Sequence, residues 1–304
     1  MKFNRDRGKS RYGAETLHGA PHKPFLMLAI IQRIEEGMIN SALIEPNVGL
    51  ELGFWEHSYS LDIGRKRDMW LPFFHMQSEK FWSLVRSDGR SPDNDGQPKS
   101  TKRLRMTYVG AIIEAVLWSK LQSVEGRREV VQGILDENFH IDVHQAIIEQ
   151  RRVIIESNNY AKTILDPSFV NLDIDDKPVR TAGFRKAIQT AYDHTCAFTG
   201  MRLLTPEYHT IIDAAHIKPW SISHNDSISN GMALSKHCHW AFDKGLLAVD
   251  GENRILISSV LERPNMQVEV LVKLENQLLR FPHEDYPKPD EELLAWHREN
   301  IFSE

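Results

Sequence analysis

IIDAAHIKPWSISHNDSISNGMALSKHCHWAFDKG, residues 211–245, is the stretch whose reading decides the fold. Five of the 14 histidines (His209, His216, His224, His237 and His239) fall within 31 residues of this region, where an even spread would place about one or two, so it is a candidate site. Residues 211–217 read as a short strand, Pro219, Asn225, Asp226 and Gly231 break the loop after it, and residues 234–242 can form a helix. The expected order is strand, loop, helix. On that helix His239 and Asp243 are four apart and share a face, offering an imidazole and a carboxylate to one metal ion. His216 leaves the strand with a ring nitrogen free to take a proton.

Asn230 follows His216 by 14 positions, His239 follows Asn230 by nine, and Asp243 completes the spacing. This pattern resembles the HNH nuclease motif. The words AAHIKPW, SNGMAL and HWAFDKG resemble HNH domains of prokaryotic restriction endonucleases, and RTAGFRKAIQTAYDHTCAFTG (180–200) and LLAWHRENIF (293–302) extend the likeness over roughly residues 180–304. The resemblance implies a ββα-metal domain. In it His216 is the general base that activates water, and Asn230 pins the loop so that His216 is oriented. It also implies one divalent cation, Mg²⁺ first with Mn²⁺ or another as alternatives, held by His239 and Asp243 against the scissile phosphate. The plainer readings are a turn-forming Asn230, a surface His239 and an Asp243 that caps or pairs locally.

Two departures matter. The position before the base, where many members of the family place a metal-binding Asp or His, is Ala215. Asp213 lies on the same strand face as residue 215, so it either supplies the missing ligand or closes a turn. Many HNH domains also carry two Cys pairs, whereas the corresponding positions here read Cys196, Thr199, Ser235 and Cys238. Two thiolates without their partners do not make a structural zinc site, so none is expected and both cysteines should be packed thiols.

Outward from this core, 304 residues suit two domains. Residues 24–36, PFLMLAIIQRIEE, read as a core helix that starts after a proline. Residues 70–85 combine aromatics with a proline and read as strand, turn and edge structure rather than one helix, and 87–101 as an exposed loop. Apolar pairs recur at helical intervals over 108–157, which fits two or three helices. The polar stretch 158–179, with Pro167, Pro178 and the Asp173, Asp175 and Asp176 cluster, is the expected linker. The fold class is thus α+β: a mixed α/β recognition domain at 1–157 and a nuclease domain at 180–304.

Net charge is −5, but residues 1–105 carry 17 Lys+Arg against 13 Asp+Glu. Phosphate contact depends on local patches, so nucleic-acid binding stays open despite the overall sign. PHKPFLMLAII and LPFFHMQSEKFWSL resemble the domain preceding HNH modules in several restriction endonucleases, including sulfur-binding domains that read phosphorothioate DNA. The likeness implies target recognition, with His22, Lys23, Arg65, Lys66, Arg67, Lys99, Lys102, Arg103 and Arg105 as candidate phosphate contacts. Most of the aromatics near Trp70 should nevertheless be core.

No apolar run approaches a membrane span, and the basic N-terminus lacks the apolar stretch of a secretory signal, so a cytoplasmic protein is expected. The expected partner is duplex DNA, with a homodimer for double-strand cleavage. Two competing readings are a DNA-binding regulator with a silent nuclease domain, suggested by Ala215, and a nuclease acting on RNA or branched DNA.

Overall fold

A computed structural model describes residues 1–59, 68–92, 96–171, 174–205, 209–262 and 269–303. The candidate contacts Arg65, Lys66 and Arg67, and the acidic residue at 173, lie outside the described residues. The chain divides into two compact units, Met1–Ile155 and Glu156–Glu304, and its architecture is α+β.

The first unit is built on α1 (His22–Glu35), in which every residue from Lys23 to Gln32 is buried. A helix apolar on all sides belongs at the centre of a domain. Pro24 sits in its first turn, where the backbone N–H has no intrahelical partner to lose. After β1 (Leu43–Ile44), α2 (Val48–Ser58) packs on α1 and starts at Asn47, whose side chain accepts from the Leu50 N–H. Then come α3 (Trp70–His75), β2 (Trp82–Arg86), α4 (Thr101–Thr107), β3 (Tyr108–Ile113), α5 (Ala115–Leu121), α6 (Val124–Asn138) and α7 (Ile141–Leu165). The three strands form an antiparallel sheet in the order β1-β3-β2.

Three expectations are corrected here. Residues 70–75 are helical rather than extended, because Pro72 falls within the first turn and Phe73 and Phe74 are buried beside α1. Residues 108–113 are the central strand of the sheet, not the start of a helix: Tyr108, Gly110, Ala111 and Ile113 are buried while Val109 and Ile112 are exposed. β-branched and aromatic residues favour that pleated, half-buried setting. Residues 158–165 continue α7 instead of opening a linker, and Tyr160, Ala161 and Ile164 belong to the core of the second unit.

That unit continues with α8 (Lys177–Ala191), capped by Asp176, whose carboxylate accepts from the Val179 N–H. β4 (Ile212–His216), α9 (Trp220–Ser223), β5 (Gly231–Ser235) and α10 (Lys236–Asp243) follow. A hairpin of β6 (Leu247–Val249) and β7 (Ile255–Ile257), α11 (Glu269–Val272) and α12 (Glu291–Asn300) complete it. The helix expected at 234–242 starts two residues later, at Lys236, since Leu234 and Ser235 pair with Asp213 and Ile212 as the end of β5. The true order is strand, loop, strand, helix. Among the described residues no helix is long and apolar enough to cross a membrane.

Candidate active site

A two-stranded ribbon is marginal alone, so β4 and β5 depend on the helices that cover them. α8 and α10 both pack on the ribbon, and Ala215, Met232, Ala233 and Leu234 are fully buried beneath them. Ala215 therefore fills core. Gly231, paired with His216 across the ribbon, lets α8 approach closely: a Cβ there would lie 2.3 Å from Ile188 Cδ1 and 3.0 Å from Phe184. Phe184 in turn stacks on the His216 imidazole, centroids 3.8 Å apart and planes 7° apart.

His216 Nε2 lies 2.7 Å from Asp226 Oδ1. Asp226 is fully buried and also accepts from Tyr160 Oη at 3.0 Å and from Arg180 Nη1 at 3.2 and 3.3 Å. Burial would raise its carboxyl, but the hydrogen bonds from His216 and Tyr160 and the attraction of His216 and Arg180 hold it below the ordinary value. Because a carboxylate only accepts, the proton of a neutral His216 sits on Nε2 and Nδ1 presents its lone pair. No partner meets Nδ1 among the described residues.

Asn230 is fully buried and clips the loop that leaves β4. Its Oδ1 accepts from Lys218 N at 2.9 Å, and its Nδ2 donates to Lys218 O at 3.1 Å and Asn225 O at 2.8 Å. It touches backbone rather than the imidazole.

On α10, His239 Nε2 is 3.5 Å from Asp243 Oδ2, while its Nδ1 is 3.9 Å from Asp213 Oδ2. The two carboxylates thus address opposite ring nitrogens, and among the described residues no three His, Cys, Asp or Glu side chains converge as a metal-binding group. His216, His239 and Asp243 line one cleft of about 350 Å³ with Trp220 and His297, and Asp213 does not line it. The imidazole of His239 and the carboxylate of Asp243 both line this cleft, a donor pair that fits a divalent cation whose remaining ligands are waters.

The family's four cysteine positions come together as a hydrogen-bonded cluster. Cys196 Sγ accepts from Ser235 N at 3.3 Å and from Thr199 N at 3.5 Å, and it lies 3.5 Å from Ser235 Oγ. Cys238 donates to Cys196, which lowers the Cys196 thiol and raises that of Cys238, the latter also by burial. His237 Nε2 reaches Ser235 Oγ at 3.4 Å, and the His224 ring lies against Trp220.

Sequence reasoning assigned no role to Asp226, Arg180, Tyr160, Phe184 or His297. His297 is buried, donates from Nε2 to Phe242 O at 3.1 Å and stacks on the Phe242 ring at 3.6 Å. It ties α12 to α10.

In the first unit, His22 and Lys23 line a cleft of about 600 Å³ together with Arg5, Tyr12 and His75. Lys23 is buried and bound to Glu79 at 2.6 Å and to Asn4 O and Ser78 Oγ, each at 2.7 Å. Burial, and secondarily Arg7, lower Arg5 to about 10. Lys99, Lys102 and Arg103 are exposed, with no ion-pair partner among the described residues, whereas Arg105 is tied to Glu51 at 2.7 Å.

Ribbon and helix form one ββα unit, with His216 at the end of β4, Asn230 just before β5 and His239 on α10. Residues 196–250 match the family model described as HNH endonuclease (HNH_2), so this segment is similar to HNH endonuclease domains. Among solved structures, one titled "Modification dependent TagI restriction endonuclease" is similar with 22% sequence identity and a TM-score of 0.33, over 41% of this chain and 40% of that one. The chain therefore spans well under half the length of that structure. Comparison with curated proteins finds no match.

Proposed function

We propose that this protein is a metal-dependent DNA endonuclease of restriction type, with His216 as general base. The observation that carries the reading is the His216 ring itself. Its Nε2 is committed to buried Asp226, and its Nδ1 is left for a water in the cleft it shares with His239 and Asp243. Nδ1 takes a proton from that water as the water oxygen bonds to phosphorus, and the bond from phosphorus to the 3′ oxygen breaks. The departing oxygen takes its proton from solvent. Asn230 acts on the backbone, holding Lys218 and Asn225 so that the strand end carrying His216 keeps its place.

His239 Nε2 and Asp243 would hold the cation, and Asp213 stands behind the ring on the Nδ1 side, where it orients the ligand. When bound, Mg²⁺ or Mn²⁺ supplies positive charge to the phosphate oxygens as charge develops.

Target recognition falls to the first unit. Exposed Lys99, Lys102 and Arg103 are suited to phosphate contact, and the cleft of Arg5, His22 and Lys23 to a polar group of the target. Lys23 enters this reading as the anchor of the cleft, because its charge is matched by Glu79. One site cuts one strand, so double-strand cleavage calls for two copies of the chain.

The test is cleavage of modified and unmodified plasmid with Mg²⁺, Mn²⁺ or EDTA, by wild type and by folded His216→Ala protein. Metal-dependent cutting by wild type that the variant loses is the expected result. DNA binding without cutting on any substrate would overturn the reading in favour of a silent binding module. Cutting of RNA or branched DNA alone would reassign the substrate.

A further inference from the structure

Asp226 enters the sequence as one polar residue of a loop, ten positions after His216, yet it is the most heavily bonded carboxylate near the site. A buried anion is costly unless its lone pairs are all engaged. Here three elements converge to engage them: α7 brings Tyr160, α8 brings Arg180, and β4 brings His216. Asn171 Oδ1 holds the Asp226 backbone N–H at 3.1 Å, which fixes where the carboxylate sits. Arg180 is itself held, its guanidinium 3.8 Å over the Trp220 ring, and Trp220 lines the same cleft as His216.

We propose that Asp226, supported by Tyr160 and Arg180, is a positioning residue for catalysis that fixes the tautomer of His216 and aims its Nδ1 lone pair into the cleft. The inference rests on the reading of His216 as base. It adds a carboxylate, an arginine and a tyrosine to the residues that the reaction needs. The charge balance explains the set. With Arg180 alone, Asp226 would be a neutralised pair; with the imidazole on Oδ1 and the phenol on Oδ2, both oxygens are directed and the imidazole has one orientation. The uncharged donor Tyr160 tempers the carboxylate without adding a second positive charge beside a base. Phe184 on the ring face excludes the tilted orientation.

The charged and titratable groups facing this pair are Tyr160 on α7, Arg180 on α8, and His239 and Asp243 across the cleft. Asp226→Asn keeps size and burial but offers an amide N–H₂ to Nε2, which then becomes the acceptor and forces the proton onto Nδ1. The loss of the correct tautomer in a serine protease triad is worth about 10⁴-fold, and a fall of about 10² to 10⁴-fold in cleavage is expected here.

The experiment records the ring nitrogens of His216 by long-range proton–nitrogen correlation in ¹⁵N-histidine-labelled full-length protein, wild type against Asp226→Asn, and the cleavage rate against pH for both. Wild type should carry the proton on Nε2 and the variant on Nδ1, with cutting reduced as stated. Tyr160→Phe is the second variant. It removes one donor, leaves the carboxylate, and should lower the rate about 3- to 10-fold while moving the acidic limb of the profile to higher pH. It also carries the test where Asp226→Asn does not fold. An Nε2–H tautomer retained in Asp226→Asn with cutting within threefold of wild type, or a Tyr160→Phe profile superimposable on wild type where Asp226→Asn does not fold, would overturn the proposal. Full activity in His216→Ala would instead sink the base reading, and the tautomer spectra would still decide whether Asp226 positions the ring.

Discussion

Phe184 lies flat on the imidazole of His216, ring planes 7° apart, and reaches it from the third turn of α8. The contact exists because Gly231, opposite His216 in the ribbon, leaves no Cβ between strand and helix. Phe184→Ala should therefore cost about 3–5 kcal/mol, the usual effect of deleting a buried aromatic ring. Phe184→Leu refills most of the volume but not the flat face. Its stability in urea should stay near wild type while cleavage falls about tenfold, since small misplacements of a reacting group are expensive. Equal losses in both quantities for Leu would show that the ring serves packing alone.

Asn230 offers a sharper separation of roles. Its side chain meets Lys218 N, Lys218 O and Asn225 O in a fully buried position, so Asn230→Ala strands Lys218 N and Asn225 O, each at about 1–3 kcal/mol, and leaves Lys218 O to Ser223 Oγ alone. Asn230→Asp keeps the acceptor for Lys218 N and loses both donations. The expected order of melting temperature is wild type, then Asp, then Ala, and cleavage should follow the same order. An active Asn230→Ala protein would remove Asn230 from the machinery, because Lys218 N and Asn225 O have no other hydrogen bond among the described residues.

The sequence made the centre of this site legible and its supports invisible, for a physical reason. His216, Asn230, His239 and Asp243 lie within 28 residues, and their spacing follows from one ribbon and one helix. Asp226 lies inside the same window yet carries no periodic signal, because it acts from an irregular loop. Tyr160, Arg180 and Phe184 come from two helices 66 to 42 residues upstream of it, and only the packed fold brings them to the carboxylate and the ring. Local pattern also failed where tertiary pairing overrides it. Leu234 and Ser235 have a helical flank but are claimed by β4, and residues 108–113 precede three helices yet complete a sheet whose partners lie at 43–44 and 82–86.

Acid sensitivity of the second unit should trace to His297. Burial, opposed by its bond to Phe242 O and aided by Arg298, lowers it to about 4 from an ordinary 6.5. Above pH 6.5 the ring is neutral in both folded and unfolded chains and contributes nothing to the pH dependence. As pH falls from 6.5 to 4 the unfolded chain takes up the proton first, and folding loses up to about 3 kcal/mol. His297→Gln keeps a donor for Phe242 O and has no proton to gain. The unfolding free energy of this unit should then fall less between pH 7.5 and 4.5 in the variant than in wild type. His57, buried in the first unit and lowered to about 3 by burial and then by Arg151 and Arg33, remains as an internal reference. A variant as acid-sensitive as wild type in the second unit would clear His297 of the effect.

Asp213 and Asp243 flank His239 on different ring nitrogens, at 3.9 and 3.5 Å, and only Asp243 shares the cleft with His216. On the proposed reading, a cation working beside His216 would sit on the Nε2 side, with Asp243 as its carboxylate and Asp213 behind the ligand. Mn²⁺ binding, followed by titration calorimetry, separates the three residues. His239→Ala should abolish it, Asp243→Asn should weaken it at least about 100-fold, and Asp213→Asn only about tenfold, the scale of an orienting partner. Cleavage in Mn²⁺ should fall in the same order. If Asp213→Asn proves more damaging than Asp243→Asn, the cation lies on the Nδ1 side, and Asp213 takes the place that Ala215 leaves vacant in the family pattern.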